Sequence, residues 1–249
     1  MGSEMQPEVR STPVSIVIAD DHGLVRQGLR SMLANEGDLE VVGEAEDGRE
    51  VIELCSRLRP QLVLMDVRMP QVDGLTATQE IKQRHPETSV LMLTMHENPN
   101  YLLEAVRAGA AGYVLKGAPN SQIMGAIRRV LEGESPLNQE LAMHVIHRLA
   151  SESKQEPVVP EQEAESSPDP EVRRHPDPLL HSLTERELEI LRLVAKGKTN
   201  QQIAKNLVIS TLTVKTHVQR IIGKLGVSDR TQAAVRAAEH GLLASDSPR

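Results

Sequence analysis

Five short apolar runs, each followed by a stretch with helical spacing, set the narrowest limit on what this chain can fold into. Val14 to Ala19 comes first, then Leu24, Val25, Leu29, Met32 and Leu33 at helix intervals. Leu39 to Val42 is followed by Val51, Ile52, Cys55 and Leu58, and Leu62 to Met65 by a helix from Thr76 to His85. Val90 to Leu93 precedes a short helix holding Leu102, Leu103 and Val106, and Gly112 to Leu115 precedes Ile123, Ile127, Val130 and Leu131. Runs without a polar break fit strands buried on both faces, and strand–helix alternation predicts a parallel sheet covered on both sides.

Four of the five runs end on a chemically useful residue: Asp20-Asp21, Asp66, Thr94 and Lys116. In open parallel sheets, ligands bind outside the carboxyl ends of the strands. Three carboxylates brought to one edge repel, by roughly 4 kcal/mol per pair at about 4 Å and an effective dielectric near 20. Such a site needs a cation, and an all-oxygen ligand set favours a hard one such as Mg²⁺. A carboxylate beside it can act as a nucleophile and form an aspartyl-phosphate. Lys116 then offers a point charge for phosphoryl oxygens, and the Thr94 hydroxyl a hydrogen-bond donor.

These residues, with Met69-Pro70, Asp73-Gly74 and Gly112-Tyr113, resemble the receiver domain of two-component response regulators, over roughly Ser15 to Gly133. The resemblance implies a flavodoxin-like (βα)5 sheet with Asp66 as phosphoacceptor. It implies Mg²⁺ on Asp20, Asp21, Asp66 and the backbone carbonyl of Arg68, and a switch pair formed by Thr94 and Tyr113. Met95 stands where receivers often have a small residue, and with Arg68 it is expected to slow loss of the phosphoryl group. His22, His85 and His96 show no metal-like partners in the sequence and read as ordinary side chains. Cys55, the single cysteine, lies on an apolar helix stripe and reads as core.

The net charge of −7 conceals a division. Residues 181–249 carry 11 Lys and Arg against 6 Asp and Glu, leaving 17 against 29 in the first 180. A basic half beside an acidic one points to a nucleic-acid partner for the basic half alone. With no Trp or Phe and two Tyr, an aromatic platform for single-stranded bases is excluded. One cysteine, no apolar run near eighteen residues and a polar start predict a cytoplasmic protein with no membrane span.

Between the halves, Leu141, Val145, Ile146 and Leu149 suggest one more short helix, and Ser151 to Pro178, with six prolines and many acids, reads as an extended linker. The basic half then shows three helix starts: Thr184 with Glu187, Thr199 with Gln202, and Ser210. From Ser210 onward Val214, Val218, Ile221, Ile222 and Leu225 form one apolar face. The other face carries Leu212, Lys215, Thr216, Gln219 and Arg220, and no acid occurs from Lys198 to Ser228. That suits a helix-turn-helix placing its second helix in a major groove, with Lys205 and Lys224 adding charge for phosphates. A fourth helix, rich in alanine, runs from about Asp229 to Ala238.

Thr184 to Glu187, Asn200 to Ala204 and Thr213 to Val218 make this half similar to the LuxR-type (NarL/FixJ) DNA-binding domain. By that resemblance Lys215, Thr216 and Gln219 approach bases and the last helix makes a dimer contact. The expected organisation is therefore a receiver over 14–133, a helix and linker over 134–180, and a small all-α four-helix helix-turn-helix domain over 181–243. The expected function is phosphorylation-controlled DNA binding. A sensor histidine kinase is the donor, double-stranded DNA the target, a homodimer the phosphorylated form, and the chain itself not an enzyme. Dimer half-sites should lie about one turn, ~10 bp, apart. Two alternatives stay open: a constitutive DNA-binding regulator with a vestigial receiver, and a Mg²⁺-dependent phosphatase. Phosphatases of that kind carry their nucleophile on the first strand in an Asp-x-Asp arrangement, unlike Asp66.

Overall fold

In the computed structural model, which describes residues 12–95, 99–134, 182–240 and 242, the five apolar runs are all strands. They are β1 (Val14–Ala19), β2 (Leu39–Ala45), β3 (Leu62–Asp66), β4 (Ser89–Thr94) and β5 (Gly112–Leu115). All pair in parallel, in the order β2-β1-β3-β4-β5. The intervening helices are α1 (Gly23–Leu33), α2 (Gly48–Leu58), α3 (Gly74–Arg84), α4 (Pro99–Ala108) and α5 (Asn120–Leu131).

Side-chain alternation along the strands divides the core into two layers. Val17, Ala19, Val63, Met65, Val90 and Met92 face α2 and α3. Ile16, Ile18, Leu62, Leu64, Leu91 and Leu93 face α1 and α5. β3 is buried at every position, as a central strand covered on both faces must be. β2 extends three residues past the expected Val42, because a register shift against β1 between Ile16 and Val17 lets pairing continue to Ala45. The order reverses between β1 and β3, so the carboxyl ends of those two strands flank the crevice of the sheet.

Two tight approaches hold the loops around that crevice. A Cβ at Gly74 would lie 1.8 Å from the Asp66 carbonyl oxygen, and one at Gly48 would lie 2.3 Å from the Val72 carbonyl oxygen. Neither position admits a side chain, so the β3–α3 loop folds directly back over the end of β3. Asp73 then caps α3 by accepting the Thr76 amide at 2.8 Å, and Asp47 caps α2 from the Arg49 and Glu50 amides.

The second region holds α6 (Glu185–Ala195), α7 (Asn200–Leu207), α8 (Thr211–Leu225) and α9 (Arg230–Glu239). Thr184 with Glu187 and Thr199 with Gln202 both form complete capping boxes, and Ser210 and Asp229 cap α8 and α9. Each cap is worth about 1 kcal/mol, which matters in a core of this size. That core joins Ile190, Leu191, Ile203, Val214, Val218 and Ala237, among others. The alanines of α9 are small enough to let it lie close on its neighbours: Ala233, Ala234, Ala237 and Ala238 are all buried. The suggested helix over Leu141 to Leu149 and the linker from Ser151 to Pro178 lie outside the described residues. Among the described residues, no helix is long and apolar enough to cross a membrane.

Candidate phosphoacceptor site and DNA-reading face

Asp20, at the end of β1, is wholly buried, and Asp66, at the end of β3, is 5% exposed. Lys116, just past β5, reaches between them, its Nζ 2.6 Å from Asp20 Oδ2 and 2.9 Å from Asp66 Oδ2. The Asp20 contact is an ion pair without hydrogen-bond angles, so that buried oxygen keeps lone-pair capacity for another positive group. Burial pushes the Asp66 carboxyl above the usual carboxylate range; Lys116 and the Arg68 backbone N–H pull it down but do not cancel the rise.

Asp21 lies beside this pair at the surface, and His22, set aside in the sequence reading, joins it. His22 Nδ1 is 2.5 Å from Asp21 Oδ1, and the His22 amide donates to Asp20 Oδ1 at 3.0 Å. Ligating atoms of Asp20, Asp21, His22 and Asp66 all lie within 4.8 Å of one another. The adjacency of His22 to the acidic pair at the start of α1 was the sequence signal for it. His85 instead lies 3.3 Å from Ser56 Oγ, and His96 falls outside the described residues. A dense carboxylate set with a buried oxygen of unused capacity fits a hard divalent cation.

Thr94 ends β4 at 3% exposure, and its carbonyl accepts the Lys116 amide at 2.7 Å, which ties the ends of β4 and β5 together. Tyr113 pairs with Met92 in the sheet and is half-buried against Leu102, Leu103 and Val106. Arg68 and Met95 are both exposed, Met95 at 71%.

In α8, Val214, Val218, Ile221 and Leu225 turn inward, as spacing predicts. Ile222 is half-buried and lines a cleft toward the first region. Lys215, Thr216, Gln219 and Arg220 are exposed on the opposite face beside Leu212, and Lys205 is exposed on α7. Lys224 does not join them. Its Nζ donates to Glu187 Oε2 at 2.7 Å and to the Ser182 carbonyl at 3.1 Å, so it closes the start of α6.

The two regions touch, through contacts no local pattern announced. Thr231 Oγ1 donates to the Ala111 carbonyl at 2.9 Å and Gln232 Nε2 to the Val106 carbonyl at 2.7 Å. Val235 packs on Leu102, Leu103 and Val106, the cluster that also receives Tyr113. Lys82, nearly buried, stands 3.9 Å from Asp229.

Residues 16–128 match the family model described as the response regulator receiver domain, and residues 181–237 match that of bacterial regulatory proteins, luxR family. The chain is a LuxR-type (NarL/FixJ) two-component response regulator. The regulator is 38% identical to the transcriptional regulatory protein DegU of Brevibacillus brevis over 95% of its own length and 98% of the relative's. It is likewise 38% identical to the response regulator protein VraR of Staphylococcus saprophyticus, over 93% and 99% of the two chains. Among solved structures, a LuxR-family two-component response regulator from Aurantimonas sp. superposes with a TM-score of 0.51 at 31% identity, covering 55% of this chain and 98% of that one. The regulator therefore combines a receiver domain with a LuxR-type DNA-binding domain and acts in transcription.

Proposed function

We propose that the regulator is switched by phosphorylation of Asp66. The donor is a sensor histidine kinase: the phosphorus–nitrogen bond of its phosphohistidine breaks as an Asp66 carboxylate oxygen forms the new phosphorus–oxygen bond, and the imidazole leaves with the electron pair. Asp20, Asp21 and the Arg68 carbonyl would hold Mg²⁺ with Asp66, and His22 orients Asp21. When bound, Mg²⁺ supplies the positive charge that lets phosphoryl oxygens approach three carboxylates. Lys116 holds Asp66 in place and meets the incoming phosphoryl oxygens with a fixed charge. The observation that carries this reading is Lys116 lodged between Asp20 and Asp66 with an Asp20 oxygen of unused capacity beside it.

The second half of the proposal is what the modification changes. Thr94 moves its hydroxyl toward the phosphoryl group and Tyr113 turns into the space released. Tyr113 packs on the α4 cluster that seats Val235 of α9, so the turn loosens that seat. Freed α9 makes a dimer contact, and two α8 helices then read DNA half-sites with Lys215, Thr216, Gln219 and Arg220, while Lys205 contacts phosphate. A dimer held at the receivers raises the effective concentration of the second reading head. The units are a receiver over 14–133, a connection over 134–180 and a DNA-binding domain over 181–243. Acetyl phosphate tests the acceptor: Mg²⁺-dependent labelling of the wild type, lost in Asp66→Asn, is expected. An unlabelled wild type would favour a vestigial receiver, and labelling that persists in Asp66→Asn would move the acceptor elsewhere.

A further inference from the structure

The first turn of α7 is anchored by a group from outside its own domain. Its capping box uses the amides of Thr199 and Gln202, each paired with the other's side chain. The amide of Asn200 lies outside the box and donates to Glu134 Oε1 at 3.0 Å, across 66 residues of sequence. Glu134 follows the end of the receiver's last helix, after Gly133 turns the chain at φ +74. Behind Asn200 stands Arg230, 5% exposed, donating to Asn200 Oδ1 at 2.7 Å and to the Lys198 carbonyl. An amide at a helix start, with a buried guanidinium behind it and no acid from Lys198 to Ser228, is a cradle for an anion, and here an anion is seated in it.

The same turn of the receiver also lies next to the reading face. A Cβ built on Gly133 would lie 3.7 Å from Gln219 Nε2, and Gly133, Glu134, Gln219 and Arg230 line one cleft. The Glu134 carboxylate therefore sits beside the α8 face that enters DNA, on a helix that in helix-turn-helix proteins crosses the sugar–phosphate backbone. Helix N-termini are regular donors to DNA phosphates.

We propose that the Asn200 amide, backed by Arg230, is a DNA-phosphate-binding point of this regulator, and that Glu134 is a built-in stand-in for that phosphate. Glu134 and DNA then compete for one seat, so the receiver lowers DNA affinity through a single carboxylate as well as through the hold on α9. The inference rests on α8 as the DNA-reading helix and adds a contact on α7 together with its inhibitor.

The test uses the full-length unphosphorylated chain and a duplex of random sequence, because a phosphate contact is independent of base sequence. Binding is followed by fluorescence anisotropy over a range of salt. Glu134→Gln is compared with Glu132→Gln, which removes the same charge from an exposed position two residues away. Glu134→Gln is expected to bind about tenfold tighter than Glu132→Gln, with the slope of log K against log salt steeper by about one, the signature of one added phosphate contact. Identical affinity and slope in the two variants, with Lys215→Ala still weakening binding, would overturn the inference and leave the α8 reading intact. Failure of all the proteins to bind duplex at low salt would overturn both.

Discussion

The acidic crevice of the receiver and the basic face of α8 stand at opposite ends of what a protein can do with charge. In the crevice, Asp20 and Asp66 are taken out of water, and one lysine is shared between them. On α8, Lys215, Thr216, Gln219 and Arg220 stay exposed to solvent. The first arrangement holds an electrostatic debt inside the fold that a cation and a phosphoryl group can settle. The second holds charge in solution until a polyanion arrives. A switch needs the former, because a buried site changes its packing when its charge changes. A reader needs the latter, because solvated side chains can release counterions and adapt to a groove.

The largest effect that would sharpen this contrast is on the exposed side. Lys215→Ala is expected to cost about 1–3 kcal/mol at specific sites and to lower the preference over random duplex. Equal losses at both, in a titration against the two duplexes, would reduce Lys215 to a phosphate contact.

Glu187 offers an intermediate case, a buried carboxylate that is fully compensated. Burial opposes its charge, yet Lys224 and the Thr184 backbone and hydroxyl hold its pKa down to about 2. Its folded pKa lies below the ordinary carboxylate range, so its stabilisation is present above about pH 4.5 and is lost as pH falls toward 2. Glu187→Gln should cost about 2 kcal/mol in urea unfolding at neutral pH, and the gap from wild type should close under acid conditions. A constant gap down to acid pH would mean packing, not charge, makes the difference.

Asp66 has the reverse sign and the smallest expected effect. Burial raises its carboxyl, so the folded protein holds that proton more tightly, and stability falls as pH climbs through the range between the unfolded and folded values. Without Mg²⁺, Asp66→Asn should therefore stabilise the receiver, by about 1 kcal/mol at neutral pH. Destabilisation by the same substitution in thermal unfolding would place the Lys116 ion pair above the burial cost.

The sheet was legible because strands covered on both faces must be apolar throughout, and because the residue ending each one is then conspicuous. Asp20, Asp66, Thr94 and Lys116 were found by position alone and do stand at adjoining strand ends. The caps were legible because Thr184, Thr199 and Ser210 bond within three residues of themselves. His22 was set aside because one histidine carries no spacing pattern, although its place beside Asp20 and Asp21 was a signal. Lys224 was grouped with the DNA-facing lysines because composition counts a charge without its direction; only the packing of α8 on α6 shows it turned toward Glu187. The contacts of Glu134, Thr231, Gln232 and Val235 join residues more than 60 positions apart. The three hydrogen bonds among them use a backbone amide or carbonyl, and the Val235 contact is apolar packing; no sequence pattern marks either kind.

The central claim is that a phosphoryl group on Asp66 governs how α8 meets DNA. Affinity for a regulated promoter fragment, measured before and after treatment with acetyl phosphate and Mg²⁺, tests it directly. The wild type should bind at least about tenfold more tightly after treatment, a gain of about 1.4 kcal/mol, and Asp66→Asn should not change. A wild type that takes up the label and binds with unaltered affinity would contradict the account.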